Sequence, residues 1–175
     1  MRTTALATTA ILWFGAIATV APLYVAAEGI ICHGGSAQVE FNPGVTFRKQ
    51  DIQIQANGDL GACSSDQAPK ITGGTFRFVG SATGACPGPF GVGNGKIRIL
   101  WNDGTQSDVP QTSFRAEAFT ASIEGGTVSE GMFKGNTFRM NGGSTSSAIE
   151  MGAQCATSGL NTYAFGIDSF AIGSI

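Results

Sequence analysis

The sequence predicts an all-β fold: an antiparallel β-sandwich of two sheets, immunoglobulin-like or jelly-roll-like. Three observations predict it: 26 of the 175 residues are glycine, only 13% are charged, and apolar residues alternate with polar ones. Alternation with a period of two is typical of half-buried strands, whereas the apolar spacing of helices is nearly absent. About eight to ten strands joined by Gly, Asn and Pro turns fit two packed sheets.

The clearest strands carry apolar side chains on one face and polar side chains on the other. We expect the chain to turn at 42–44 and at 57–58, where Asn, Pro and Gly cluster. Each apolar face is expected to line a shared core. These faces comprise Ala37, Val39 and Phe41; Ile52, Ile54 and Ala56; Phe76 and Phe78; Phe138 and Met140.

Residues 96–110 predict a β-hairpin with a three-residue loop at 102–104. This loop places Ile97 opposite Val109 and Trp101 opposite Thr105, which keeps each face of the hairpin uniform. A two-residue loop would mix apolar and charged residues on both faces. We therefore expect Trp101 to lie in the core; the alternative is an exposed Trp101 that stacks on a sugar.

Two segments change the phase of their alternation, which a strand does only at an inserted residue. Apolar residues switch faces between 114–118 and 119–123, which predicts a bulge near Ala118. A second switch, between 163–167 and 170–172, predicts a bend near Asp168 and Ser169. Strands that bend from one sheet to the other form the corners of sandwiches.

The first 27 residues predict a cleaved signal peptide. Arg2 precedes a mostly apolar run over 5–25, and the small residues at 25–27 suit signal peptidase. A retained membrane anchor is the alternative, but Pro22 interrupts the run and no basic residue follows before Arg48. We expect a secreted protein with one domain over 28–175.

The charge of the exported chain argues against nucleic acid and membranes as partners. Without Arg2, nine of the ten basic residues are left against twelve acidic ones, a formal charge of −3. These charges form no runs, so neither nucleic acid nor an anionic membrane finds a basic patch. We also expect no membrane contact after signal cleavage, since no second apolar span is present.

The exported part contains four cysteines, and an even number there predicts two disulfides. Three pairings are possible, and we predict Cys32 with Cys63 and Cys86 with Cys155. Each bridge would stabilise the fold by about 3 to 4 kcal/mol through loop closure. A zinc site is the alternative, but the chain has no CxxC pair and only one histidine. We expect no metal and no cofactor.

The sequence lacks a convincing catalytic constellation. His33 is the only imidazole and lies close to the expected N-terminus of the exported chain, where a general base lacks rigid support. A small secreted hydrolase with paired carboxylates is an alternative. Single charges are nevertheless ordinary on a soluble surface, so we expect no enzymatic activity and assign no catalytic residue. The carboxylates available to such a pair are Glu117, Glu124, Glu130, Glu150 and Asp168.

Four apolar residues are candidates for partner binding. Ile30 and Ile31 lie at the start of the exported chain, where they would dock in a partner's groove or pair with a sheet edge. The alternative is that they join the domain's own sheet. Met132 and Phe133 point to opposite faces of a strand, so one is exposed unless a bulge at Gly131 hides both.

Five turn and packing motifs carry a resemblance to known proteins. They are Pro43-Gly44, Trp101-Asn102-Asp103-Gly104 with Ser107, Gly126-Thr127-Val128, Gly131-Met132-Phe133-Lys134-Gly135, and Cys155 with Gly159-Leu160. With these motifs the chain resembles small secreted proteins of actinobacteria, most of them without an assigned function. It is also similar to the adaptor subunits of umbrella toxin particles, which join a lectin-bearing subunit to a stalk. The resemblance implies partner contacts at the N-terminal tail and the sheet edges.

Together these features predict a secreted, non-enzymatic adaptor that binds another secreted protein, as a subunit of an extracellular toxin complex if the resemblance holds. A carbohydrate or cell-surface binding module is the first alternative, and it needs Trp101 or Tyr163 exposed beside polar groups. A hydrolase is the second alternative.

Overall fold

The structure is a computed structural model, and it describes residues 29–86, 91–117 and 119–173. The predicted signal peptide, 1–27, lies outside the described residues. The elements are β1 (Gly29–Val45), β2 (Gln50–Ser64), β3 (Gly74–Gly84), β4 (Gly91–Trp101), β5 (Gln106–Ala116), β6 (Thr120–Thr127), β7 (Glu130–Gly131), β8 (Thr137–Ser144), α1 (Ala148–Ala156) and β9 (Leu160–Gly173).

The eight long strands form a closed antiparallel barrel in which each strand pairs with its neighbours along the chain. The ladder runs from β1 to β6, then through β8 to β9, and β9 pairs back with β1. The short β7 pairs with β5 beside this ring. The predicted all-β antiparallel fold is confirmed. The prediction of two separate sheets is corrected, because continuous pairing around the ring leaves no break that would divide it.

The two ends of the barrel are closed differently. We call them the α1 end and the Trp101 end. The α1 end comprises α1 with its flanking residues 145–147 and 157–159, the connection 46–49, and Glu117 and Phe119 between β5 and β6. The Trp101 end comprises the two chain ends of the barrel, at Gly29 and Gly173, and the connections 65–73, 102–105 and 128–136.

Large aromatic side chains fill the Trp101 end. Trp101 is 2% exposed, and its ring makes edge contacts with Phe133 at 5.6 Å and Phe170 at 6.1 Å. Its indole nitrogen donates a 2.9 Å hydrogen bond to the hydroxyl of Ser107, which in turn donates to the carbonyl of Met132. A buried indole needs such a partner. The predicted core position of Trp101 is confirmed, and the exposed sugar platform is not present.

The predicted hairpin register between β4 and β5 is confirmed. Ile97 lies opposite Val109, and the Trp101 amide donates to the carbonyl of Thr105 at 2.8 Å. Gly104 has a φ of 86°, the left-handed conformation that the three-residue loop requires.

Both turns predicted inside the first two strands are wrong. β1 continues through 42–44 to Val45, with an irregularity in its pairing with β9, and the chain turns only at 46–49. β2 continues through Asn57 and Gly58. A Cβ atom at Gly58 would collide with the backbone of Ser36 on β1, so this glycine permits close strand approach instead of a turn.

The two changes of phase have different structural causes. β5 ends at Ala116 and β6 starts at Thr120, so the first change marks a hairpin between two strands. The predicted bulge is corrected, and Ala118 itself lies outside the described residues. In β9 the prediction is confirmed: Ile167 and Ser169 pair with adjacent residues of β8, which leaves Asp168 as the inserted residue.

Both predicted disulfides are confirmed. Cys32 and Cys63 are directly paired residues of β1 and β2, and their bridge lies at the Trp101 end. Cys86 follows β3 and is joined to Cys155 in α1, 69 residues further along the chain. The second bridge therefore attaches the helix to the wall of the barrel.

The helix α1 is the one helix of the described residues and was not expected from the sequence. It has a glycine in its middle, Gly152, and its N-cap Ser147 makes no side-chain capping bond. The glycine weakens the helix signal in the sequence, and the missing capping bond removes a stabilising contact at the start of the helix. The helix is stabilised instead by packing, since Met151 and Cys155 are buried against the barrel. Within the described part of the chain, no helix combines the length and apolar character that crossing a membrane requires.

Replacing Ser107 with alanine is expected to destabilise the protein by about 1–3 kcal/mol, because the buried Trp101 nitrogen loses its acceptor. Ser113→Ala, on the exposed part of the same strand, is the matched control and is expected to cost under about 0.5 kcal/mol. Urea denaturation followed by tryptophan fluorescence measures both. Equal losses in the two variants would contradict the assigned role of Ser107.

Candidate functional site

Exposed apolar side chains gather at the α1 end. Phe47, Val92, Phe119 and Ile149 are 50% to 85% exposed, and we call these four residues the apolar rim. They come from the 46–49 connection, the start of β4, the 117–119 connection and α1. Leu100, 53% exposed near the opposite end, is the other exposed large apolar residue in the described part of the chain. Exposed large apolar side chains at one end of a protein mark a candidate interaction site.

A cavity of about 70 Å³ lies beneath α1, and we call it the outer cavity. Phe47 and Phe119 of the rim form part of its wall, and Met151 of the helix forms another part. Glu117 and Ser144 supply its polar lining, together with Tyr163. The outer cavity therefore lies between the exposed Phe47 and Phe119 and the barrel residue Tyr163.

A second cavity of about 70 Å³, the inner cavity, lies inside the barrel. Its walls come from β1, β2, β3, β5, β6, β8 and β9, and every lining residue is apolar except for the hydroxyl group of one tyrosine. The lining residues are Ala37, Val39, Phe41, Ile54, Ala56, Phe76, Phe78, Phe114, Ala116, Ala121, Ile123, Met140, Tyr163 and Phe165.

Tyr163 on β9 lines both cavities and so forms part of the wall between them. Its ring stacks on Phe41 at 5.6 Å and contacts Phe165 edge-on at 6.2 Å. Burial raises the pKa of Tyr163 to about 12, because the surrounding apolar groups disfavour the phenolate. At either the ordinary or the raised pKa the hydroxyl is protonated at neutral pH and is able to donate a hydrogen bond.

Small residues create the space inside this half of the barrel. Gly93 and Gly95 face the interior from β4, where a Cβ atom would collide with the rings of Phe114 and Phe78 respectively. The two rings therefore lie close against the β4 backbone and leave the middle of the barrel less filled. Interior positions of the Trp101 end carry bulky residues instead, such as Phe138.

The structure places the four predicted partner-binding residues at the Trp101 end. Ile30 is 1% exposed and pairs with Ile172 of β9, so this segment belongs to the barrel's own sheet. Phe133 is 6% exposed and packs on Trp101. Ile31 and Met132 are half-buried. The side chains of Ile30 and Phe133 belong to the core, which corrects their assignment to a docking surface.

The residues considered for catalysis are spread over the barrel. His33 is exposed, and its Nδ1 lies 3.0 Å from the carbonyl oxygen of Asp168. Glu130 lies on β7 at the Trp101 end, whereas Glu150 lies on α1. Among the five carboxylates considered for a hydrolase, Glu117 alone lines either cavity. The described residues contain no cluster of three His, Cys, Asp or Glu side chains that would hold a metal ion.

Sequence reasoning missed the apolar rim, although one signal for it was present. Phe47 follows the last alternating residues of β1 next to the charged Arg48 and Lys49, outside any strand pattern. An apolar aromatic residue in a polar turn is a candidate for exposure. The alternation predicts Phe119 as a strand residue, whereas the structure places it between β5 and β6.

Tyr163 is expected to ionise with a midpoint near pH 12 instead of the ordinary value of about 10. It is the only tyrosine of residues 28–175, so absorbance of a chain of these residues at the phenolate band reports it alone. The unfolded chain loses its proton near pH 10 while the folded chain keeps it, so stability falls as the pH rises from about 10 to 12. A midpoint at 10 in the folded protein would contradict the buried position.

Comparison with known proteins finds no relative: no family model, no curated protein and no solved structure matches the chain.

Proposed function

We propose that this protein is a secreted, non-enzymatic adaptor that binds another secreted protein through the apolar rim. The observation that carries the proposal is that four of the five exposed large apolar residues in the described part of the chain, Phe47, Val92, Phe119 and Ile149, lie at one end of the barrel. A soluble protein gains nothing from exposing these side chains, whereas a partner that covers them removes apolar surface from water.

The composition of the rim suits a protein partner. Two of its four members are phenylalanines, and aromatic residues are enriched at the centres of protein interfaces. Charged residues of both signs lie next to the rim: Arg48 and Lys49 follow Phe47, and Glu150 follows Ile149. Apolar side chains with charged residues of both signs beside them are common at interfaces between two folded proteins.

The disulfides support export. Two bridges are compatible with an extracellular protein and are rare in the cytosol. The resemblance to adaptor subunits of umbrella toxin particles supports the same class of function, and in that setting the rim would bind a neighbouring subunit. A carbohydrate site at Trp101 is not proposed, because that side chain is in the core.

Export predicts the form in which the protein is recovered from culture medium. Intact mass spectrometry is expected to show a chain that starts at Glu28 and is four hydrogen atoms lighter than the reduced chain, because both disulfides are formed. A protein that is retained in cells with residues 1–27 attached would contradict the proposed localisation.

The interface is tested by purifying the tagged protein from the medium of its native host. A C-terminal tag suits this experiment, because β9 ends at the Trp101 end and leaves the rim free. We expect a second secreted polypeptide in near-stoichiometric amount with the wild-type protein. The double variant Phe47→Ser/Phe119→Ser is expected to recover at least about tenfold less of it, since two aromatic contacts are lost.

Leu100→Ser is the matched control, because Leu100 is as exposed as Phe119 but lies near the opposite end. It is expected to recover the partner at the wild-type level. A wild-type protein recovered alone, or equal recovery by the double variant and wild type, would reject the proposed interface.

A further inference from the structure

We propose that the inner and outer cavities together form a binding site for one small, uncharged, apolar molecule. The site goes beyond partner binding at the rim, and it is defined by the residues inside the barrel.

The lining of the inner cavity selects an apolar, uncharged occupant. Thirteen of the fourteen lining residues are apolar, and the hydroxyl of the fourteenth, Tyr163, is the one polar side-chain group among them. A charged ligand would lose its hydration there without gaining a countercharge. An apolar molecule would instead supply the dispersion contacts that the lining atoms lack across empty space.

The empty space is not spread evenly through the core. Ala37, Ala56, Ala116 and Ala121 line the inner cavity, whereas the Trp101 end is filled by aromatic rings. Protein interiors are otherwise close-packed, and small residues opposite one another on several strands leave a cavity of defined shape. Eight strands enclose an interior wide enough to hold one small ligand.

The volumes set the size of the molecule. Each cavity holds about 70 Å³, and Tyr163 lies between them. An engineered apolar cavity of about 150 Å³ is known to bind benzene. The two cavities combined approach this size, so a rotation of the Tyr163 ring would admit a single aromatic ring or a short alkyl chain.

The rim provides a path from solvent. Phe47 and Phe119 are exposed and also line the outer cavity, which lies beneath α1. Tyr163 then separates the outer from the inner cavity. An apolar molecule would therefore pass from the rim to the outer cavity and from there to the inner cavity.

Methionine methyl groups report each part of the site separately. Residues 28–175 contain three methionines: Met140 lines the inner cavity, Met151 lines the outer cavity, and Met132 lies at the Trp101 end. The secreted protein is labelled with methyl-¹³C methionine and titrated with toluene. We expect saturable shifts of the Met140 and Met151 signals while the Met132 signal stays unchanged.

Benzoate, which has the same ring and a negative charge, is the matched control probe and is expected to shift none of the three signals. An absence of shifts at saturating toluene would reject the site, as would equal shifts of all three signals. A shift of Met151 alone would also reject it, because toluene would then occupy only the outer cavity. The titration uses the isolated protein, so its result does not depend on the proposed partner.

A variant that fills the inner cavity tests whether toluene binds there. Ala56→Leu places three more carbon atoms in the inner cavity and is expected to abolish the toluene shift of Met140. Ala62→Leu, on the exposed face of the same strand, is expected to keep it. Ala116→Leu fills the cavity from β5 and replaces Ala56→Leu if that variant does not fold. A filled variant that still shows the wild-type shift would reject the inner cavity as the site.

Discussion

The pairing between the first and the last strand is the constraint on which the rest of the structure depends. β1 and β9 pair from Gly29 and Gly173 at one end to Val45 and Leu160 at the other. Without this ladder, both strands would be edges with unpaired backbone groups. With it, the barrel wall is continuous, and only the two ends give access to the interior. The residues that close each end therefore determine which molecules reach the interior.

The two ends of the barrel are closed in different ways. At the Trp101 end, aromatic rings in edge-on contact and the Trp101–Ser107 hydrogen bond fill the interior. At the α1 end, a short helix covers the opening and is attached to the wall through Cys86 and Cys155. The interior beneath the helix keeps empty space, and its surroundings keep exposed apolar groups. The apolar rim and the two cavities therefore lie in the same half of the barrel.

Local sequence patterns predicted the structural features that depend on residues close together in the chain. The register of Ile97 and Val109, the buried Trp101 and the inserted Asp168 follow from alternation and from loop geometry alone. Closure of the barrel did not follow, because a strand with one buried face has the same pattern in a sandwich and in a barrel. The apolar rim and the cavities did not follow either. Whether Phe119 is covered, or whether Ala56 leaves a gap, depends on residues far away in the chain.

The strands follow one another around a closed ring, so no strand is structurally the first. Gly29 and Gly173 are paired neighbours, so a short linker would join the two ends of the chain without rearranging any strand. New ends opened in the exposed loop 102–105 would leave each ladder of the ring intact. The architecture of the barrel therefore does not depend on where the chain starts. A circularly permuted chain would form the same barrel, with the same opening covered by α1.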